Sequence, residues 1–336
     1  MDDSVFIPHP LLRNAHMMTI LPALPLRRHS RLRSSSQPVI VDVAPDSKIL
    51  VHCHRCPSGR SDAPTLLLVH GLESSAAAPY LLSLTAKALA LDFNVVRMNL
   101  RNCGGTLHLS PNLYNAGMSG DVIALVDFLR SRMNFGHIFL VGYSLGGNIV
   151  LKAAAELGSR GSERISGVCT IVPSVDLDAC VSAIESGLNR LYEWRFLLGL
   201  KIKILAKHKM FPSRFDPAKL RQVNSLRAFD DHFTAPDAGY ANAMDYYQHA
   251  SALPMLPQIE VPTLIIAAQD DPIVPFHSFR EPQLNSRFIT LLAPVHGGHG
   301  GFVQQDIEKN EALRTADRAW AENRVLEFCL RHSVST

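Results

Sequence analysis

The chain has 336 residues, 47% hydrophobic and 19% charged, enough to bury a large core as one big domain or as a domain with an insertion. A formal net charge of +3 is too mild to indicate nucleic acid as a partner, and no uninterrupted apolar run approaches the roughly twenty residues of a membrane-spanning helix. The opening MDDSVFIPHPLLRN is acidic and proline-broken, which does not read as a signal peptide, so a cytoplasmic location is expected. The six cysteines, Cys53, Cys56, Cys103, Cys169, Cys180 and Cys329, are scattered, and a chain this long needs no disulfide staple; reduced thiols are expected.

Residues 1–36 mix proline, arginine and serine, with Arg27, Arg28, Arg31 and Arg33 close together, and read as an arm packed on the body. Alternating stretches Val39 to Val43 and Lys48 to His54 predict a hairpin at a sheet edge. His52, His54 and Cys56 would share one strand face, but no second ligand cluster with zinc-finger spacing accompanies them, so no metal site is assigned. After Pro64, buried strands alternate with helices: strand Thr65 to Val69, helix Pro79 to Ala90, strand Asn94 to Leu100, helix Gly120 to Met133, strand Ile138 to Val141. Further strands are expected at Gly167 to Val172, Thr263 to Ala268 and Phe288 to Leu292, and a long helix from about Lys309 to Arg331. This rhythm predicts an α/β protein with a mostly parallel twisted sheet flanked by helices, residues 37–172 and 263–336 forming its core.

Between 173 and 262 the strand rhythm lapses for too long to be a loop, so a helical cap insertion is expected. Its first half interleaves Arg190, Arg195, Lys201, Lys203, Lys207 and Lys209 with Leu191, Trp194, Phe196, Leu197 and Leu198. A membrane-surface or acyl-chain-binding face competes with an ordinary amphipathic lid; the lid is the reading adopted, with Trp194, Phe196 and Leu197 as candidate substrate contacts and the basic residues toward solvent.

The chemistry centres on His137 to Leu151, where an apolar strand stops at Gly142 and a helical pattern starts beyond Ser144. Glycines two residues before and after Ser144 allow a sharp strand-to-helix reversal that leaves its hydroxyl exposed and the Leu145 amide at a helix N-terminus, suited to an oxyanion. A serine hydroxyl needs a base, itself oriented by a carboxylate. Beyond the Thr263 strand lie Asp270 and Asp271, of which Asp271, preceding the turn-forming Pro272, is preferred; Asp270 is expected to bond loop amides. Beyond the Phe288 strand lie His296 and a glycine-wrapped His299, and His299 is preferred as the base. The loop after Val69 nominates the Leu72 amide as partner of Leu145.

These stretches resemble the YheT-like branch of the α/β-hydrolase fold enzymes, together with the plant embryogenesis-associated proteins. The matching motifs are Asn14-Ala-His-Met-Met-Thr-Ile20, His70-Gly-Leu-Glu73, Asn99-Leu-Arg101, Tyr114 with Gly117 and Asp121, Gly142-Tyr-Ser-Leu-Gly-Gly-Asn148, Phe229-Asp-Asp231, Thr234-Ala-Pro236, Asp245-Tyr-Tyr247, Asp270-Asp-Pro272 and Gly297-Gly-His-Gly-Gly-Phe302. The chain departs from the family at Ser74, Asn102 and Asn115, where glycine, glycine and histidine are usual. The resemblance implies a triad of Ser144, Asp271 and His299 and hydrolysis of short- or medium-chain acyl esters or lipid esters. That chemistry needs no metal and no organic cofactor. Transfer of the acyl group to an alcohol would use the same residues; a ligand-binding protein on this fold would have no need of all three. Dehalogenase chemistry would require a carboxylate where Ser144 stands.

Overall fold

The computed structural model describes residues 6–23, 32, 35–313 and 315–333. Helix α1 (Ala15–Ala23) precedes an eight-stranded sheet, which begins with an antiparallel edge hairpin of β1 (Gln37–Ala44) and β2 (Ser47–His54), where the alternating sequence placed it. Then come β3 (Thr65–Val69), α2 (Pro79–Ala90), β4 (Asn94–Met98), α3 (Ser119–Met133), β5 (Ile138–Tyr143), α4 (Leu145–Leu157) and β6 (Gly167–Ile171). Strands β7 (Thr263–Ile266) and β8 (Ile289–Leu292) complete the spatial order β1-β2-β4-β3-β5-β6-β7-β8. Every neighbouring pair from β4 to β8 is parallel. Parallel neighbours must be entered from the same end, so the chain crosses over through helices and covers both faces of the sheet.

That double cover explains the continuous apolar strands. In β3, Leu67 and Val69 enter one core cluster while Leu66 and Leu68 enter the other; in β5, Ile138 and Leu140 oppose Phe139 and Val141 in the same way. All eight are buried completely, and truncating one such leucine to alanine costs about 2–5 kcal/mol.

Between β6 and β7 the chain is helical: α5 (Leu177–Ile184), α6 (Arg190–Met210), a short helical run over 226–238 with a π-helical turn at Asp230–Thr234, and α7 (Ala243–Ala250). Buried polar groups fasten this segment to the sheet. Asn148 of α4 donates to the Ala116 and Ala250 carbonyls and accepts from the Ala252 amide. Lys207 donates to the carbonyls of Leu107 and Ser110, and burial pushes its pKa down to about 8. The expectation that the basic residues of α6 face solvent is therefore wrong for Lys203 and Lys207, both buried.

The C-terminal expectation also needs correction. Val303–Asn310 and Thr315–Ala319 form an antiparallel pair, β9 and β10, and the last helix, α8 (Trp320–Ser333), starts at Trp320. Polar, helix-compatible residues such as Glu308, Lys309 and Arg318 hid the pairing, which is fixed from outside: the Ile7 carbonyl accepts from the Gln305 amide, and the His9 amide donates to the Val303 carbonyl. Phe6 packs on Phe302 and Trp320, at 5.8 and 5.4 Å between ring centres. Arg27, Arg28, Arg31 and Arg33 lie outside the described residues. Among the described residues no helix is long and apolar enough to cross a membrane, and all six cysteines are unpaired and buried.

Candidate active site

Ser144 joins β5 to α4 with φ 52° and ψ −119°, a conformation that costs a non-glycine residue on the order of 1–3 kcal/mol. The turn survives because its neighbours fit nothing larger than glycine. A β-carbon on Gly142 would stand 2.4 Å from the Gly146 carbonyl oxygen, and one on Gly146 would stand 2.5 Å from the His70 carbonyl oxygen. The Ser144 amide donates to the Ile171 carbonyl, and its own carbonyl accepts from Asn148 and Ser174, so the backbone is pinned while the hydroxyl stays accessible.

Ser144 Oγ lies 2.9 Å from His299 Nε2, and His299 Nδ1 lies 2.9 Å from Asp271 Oδ2 and 3.2 Å from Oδ1. A carboxylate can only accept, so Nδ1 carries the ring proton and Nε2 is left to accept from the serine. Asp271 is in turn held by the Ile273 and Val274 amides, both donating to Oδ1. Asp270 takes a different part: it accepts from the Gly298 amide at 2.9 Å and pairs with His296 at 3.1 Å, shaping the loop that carries His299. The loop-amide role expected for Asp270 is there, with the His296 contact in addition.

The loop after β3 passes close to the serine; a β-carbon on Gly71 would approach Ser144 Cβ to 3.2 Å. Its shape is set by His70, fully buried, whose Nε2 accepts from the Leu100 amide and whose Nδ1 donates to the Gly71 carbonyl. Both roles require a neutral ring, and burial pushes the His70 pKa down to about 4. The Leu72 and Leu145 amides donate to no protein acceptor among the described residues. Glu73, at φ 49°, closes the loop: its amide donates to Tyr114 Oη, and its Oε1 accepts from Tyr114 Oη at 2.7 Å and from Lys203 Nζ at 2.5 Å. A β-carbon at Gly199 would stand 2.5 Å from the Glu73 carboxylate, so α6 rests its backbone on this loop.

Ser144 opens into a cavity of about 840 Å³, mouth included, walled chiefly by apolar side chains such as Leu72, Leu145, Leu177, Val181, Phe196 and Phe229. Of the three candidate substrate contacts, Phe196 lines this cavity, Leu197 is buried without lining it, and Trp194 is 67% exposed on the outer side of α6. The inward expectation for Trp194 is thus overturned, because the turn of α6 that faces the cavity carries Phe196, Leu200 and Lys203. One acidic residue lines the wall: Asp230 accepts from Tyr247 Oη at 2.7 Å, and burial pushes its pKa up to about 6.

Residues 64–306 match the α/β-hydrolase fold family. The chain is 33% identical over 303 residues to the putative esterase YheT of Escherichia coli, covering 89% of this chain and 87% of that one. The chain belongs to this family, in its YheT-like branch. A monoacylglycerol lipase of Saccharomyces cerevisiae is 28% identical over 72% of this chain, which spans 55% of that protein's length. Among solved structures, the Pyrococcus furiosus esterase Pf2001 superposes with a TM-score of 0.58 at 15% identity, covering 92% of this chain and 97% of that one; the likeness is one of fold.

Two features of this α/β-hydrolase escape the sequence reading. The three departures from the family motif are not alike in place: Asn115 lines the cavity, Ser74 takes a hydrogen bond from Tyr80 Oη, and Asn102 adopts φ 62°, the conformation a glycine would hold freely. The second is the N-terminal segment. The His299 amide donates to Thr19 Oγ1 at 2.8 Å, and Thr19 donates to Ala15, so α1 buttresses the loop bearing the histidine. His16 stacks on Tyr192 of α6 and shares a 3.0 Å hydrogen bond with it. The Asn14–Ile20 motif was the only available signal, and it came with no role attached.

Proposed function

We propose that the protein is a serine hydrolase of carboxylic esters that works through an acyl-enzyme on Ser144, with residues 173–262 serving as a cap over the substrate. The carrying observation is the hydrogen-bond chain from Ser144 through His299 to Asp271, opening onto an apolar cavity. His299 Nε2 takes the Ser144 proton as Oγ bonds to the ester carbonyl carbon. The resulting oxyanion accepts from the Leu72 and Leu145 amides, which have no competing acceptor among the described residues. Asp271 stays ionised and stabilises the imidazolium. Collapse expels the alkoxide, which takes the proton from His299; water then enters by the same route and releases the acid.

The apolar wall of the cavity offers dispersion contacts along the hydrocarbon of a short- or medium-chain acyl group. The relatives named as esterase and lipase support cleavage of esters. The test is a panel of p-nitrophenyl esters of increasing chain length beside labelling by a fluorophosphonate. Ser144→Ala should abolish labelling and lower kcat by more than about a thousandfold with an unchanged melting curve. Near-normal turnover by that variant would remove the assignment.

A further inference from the structure

The outer face of α6 is unlike the rest of the surface. Leu191, Trp194, Leu198, Ile202 and Leu205 follow one another at three- and four-residue intervals, which puts them on one side of a 21-residue helix, and they are 72%, 67%, 47%, 57% and 48% exposed. Single exposed leucines are ordinary; five large apolar side chains in a row on one helix, one of them a tryptophan, form a patch. The opposite side of the helix is already spent, since Phe196, Leu200 and Lys203 line the cavity. Arg190, Arg195 and Lys209 are also exposed along α6, and no acidic residue of the helix is; its one carboxylate, Glu193, is buried and lies 3.8 Å from Arg190. On helix α1, tied to α6 by the His16–Tyr192 contact, Met17 and Ile20 are likewise exposed, 43% and 45%.

We infer that α6 docks on the surface of an anionic lipid bilayer, its apolar stripe in the acyl boundary and Arg190, Arg195 and Lys209 at the headgroups. A bilayer requires only an apolar stripe rimmed by cations, with an aromatic residue at the headgroup level. The helix would lie in the plane of the interface, and its other face forms the cavity wall. Docking therefore sets the site about one helix diameter, on the order of 10 Å, from the lipid. The benefit to catalysis rests on the ester-hydrolase reading above; the docking itself does not.

Trp194 supplies the readout, because the other tryptophan of the chain, Trp320, is buried. With vesicles of phosphatidylcholine and 30% phosphatidylglycerol, the wild-type protein should co-sediment and its tryptophan emission should shift to the blue. Leu198→Glu with Ile202→Glu should lower partitioning at least tenfold while leaving turnover of a water-soluble acetate ester within twofold. Arg195→Glu with Lys209→Glu should weaken binding to the anionic vesicles, and added salt should do the same to the wild type. No binding by the wild type at low salt would overturn the inference, as would equal binding to pure phosphatidylcholine vesicles. So would light scattering that shows a wild-type dimer made monomeric by the two glutamates, since a second copy would then cover the stripe. Vesicle binding by Ser144→Ala that equals the wild type keeps this test separate from the catalytic one.

Discussion

Asp270 and Asp271 are adjacent and chemically identical, yet they face different histidines: Asp271 holds His299, and Asp270 holds His296 and the Gly298 amide. Asp271→Asn would present an amide to His299 Nδ1 and favour the tautomer that cannot accept the serine proton, so kcat should fall about ten-thousandfold. Asp270→Asn keeps an acceptor for the Gly298 amide and should lose far less; steady-state rates of the two variants, compared side by side, decide it, and reversed losses would exchange the roles. Ser144, Asp271 and His299 were legible because each sits beyond a recognisable strand in a glycine- or proline-marked turn. Thr19 was not, because a hydrogen bond to a backbone amide 280 positions away leaves no local pattern. Trp194 was misassigned for a related reason: composition says that a helix is amphipathic, and only packing says which face turns inward.

At the scale of elements, α6 and the loop after β3 are joined by Lys203 and Glu73, whose side chains are 10% and 13% exposed. Lys203 Nζ also lies 4.3 Å above the Tyr114 ring. The ion pair lies one residue beyond the Leu72 amide, so losing it should disturb the proposed oxyanion site as well as the fold. Lys203→Met strands the Glu73 carboxylate, a change that costs about 3–5 kcal/mol for a buried pair. Its melting temperature should fall by several degrees and kcat should drop at least about tenfold. Lys203→Met combined with Glu73→Gln should regain part of the lost stability, because no unpaired charge remains; a double variant no more stable than the single one would show that the two residues are not coupled. The sequence placed the helix and its cations but gave no way to see that Lys203 finds a carboxylate 130 positions away. Likewise the β9–β10 pair was masked by residues that favour helix locally and became a hairpin through contacts with the segment around Ile7 and His9.

At the scale of the molecule, the parallel sheet was readable because strands covered on both faces become unbroken apolar runs, while the order of the strands, which no local pattern encodes, came only from the structure. Folding also buries groups that titrate. His54 accepts from Arg97 and His70 accepts from Leu100, and burial pushes both pKa values down to about 4 from an ordinary 6.5. Between those values the unfolded chain binds protons that the folded chain refuses, so stability rises with pH across that window and is lost as pH falls from about 6.5 to 4. Asp230, with its pKa pushed up, works in the opposite sense below about pH 6. His54→Gln keeps an acceptor for Arg97 and removes one titration; its melting temperature should depend less steeply on pH between 4.5 and 6.5 than that of the wild type, and identical slopes would refute the assignment. The bond between Thr19 and His299 carries a last consequence, for the order of events during synthesis. The serine turn leaves the ribosome before Asp271 and His299 are made, and the histidine loop, when it follows, must close back upon a helix made well before the serine. On the proposed triad, a nascent chain that has not yet reached Asp271 and His299 thus displays the serine hydroxyl without the partners that would ionise it.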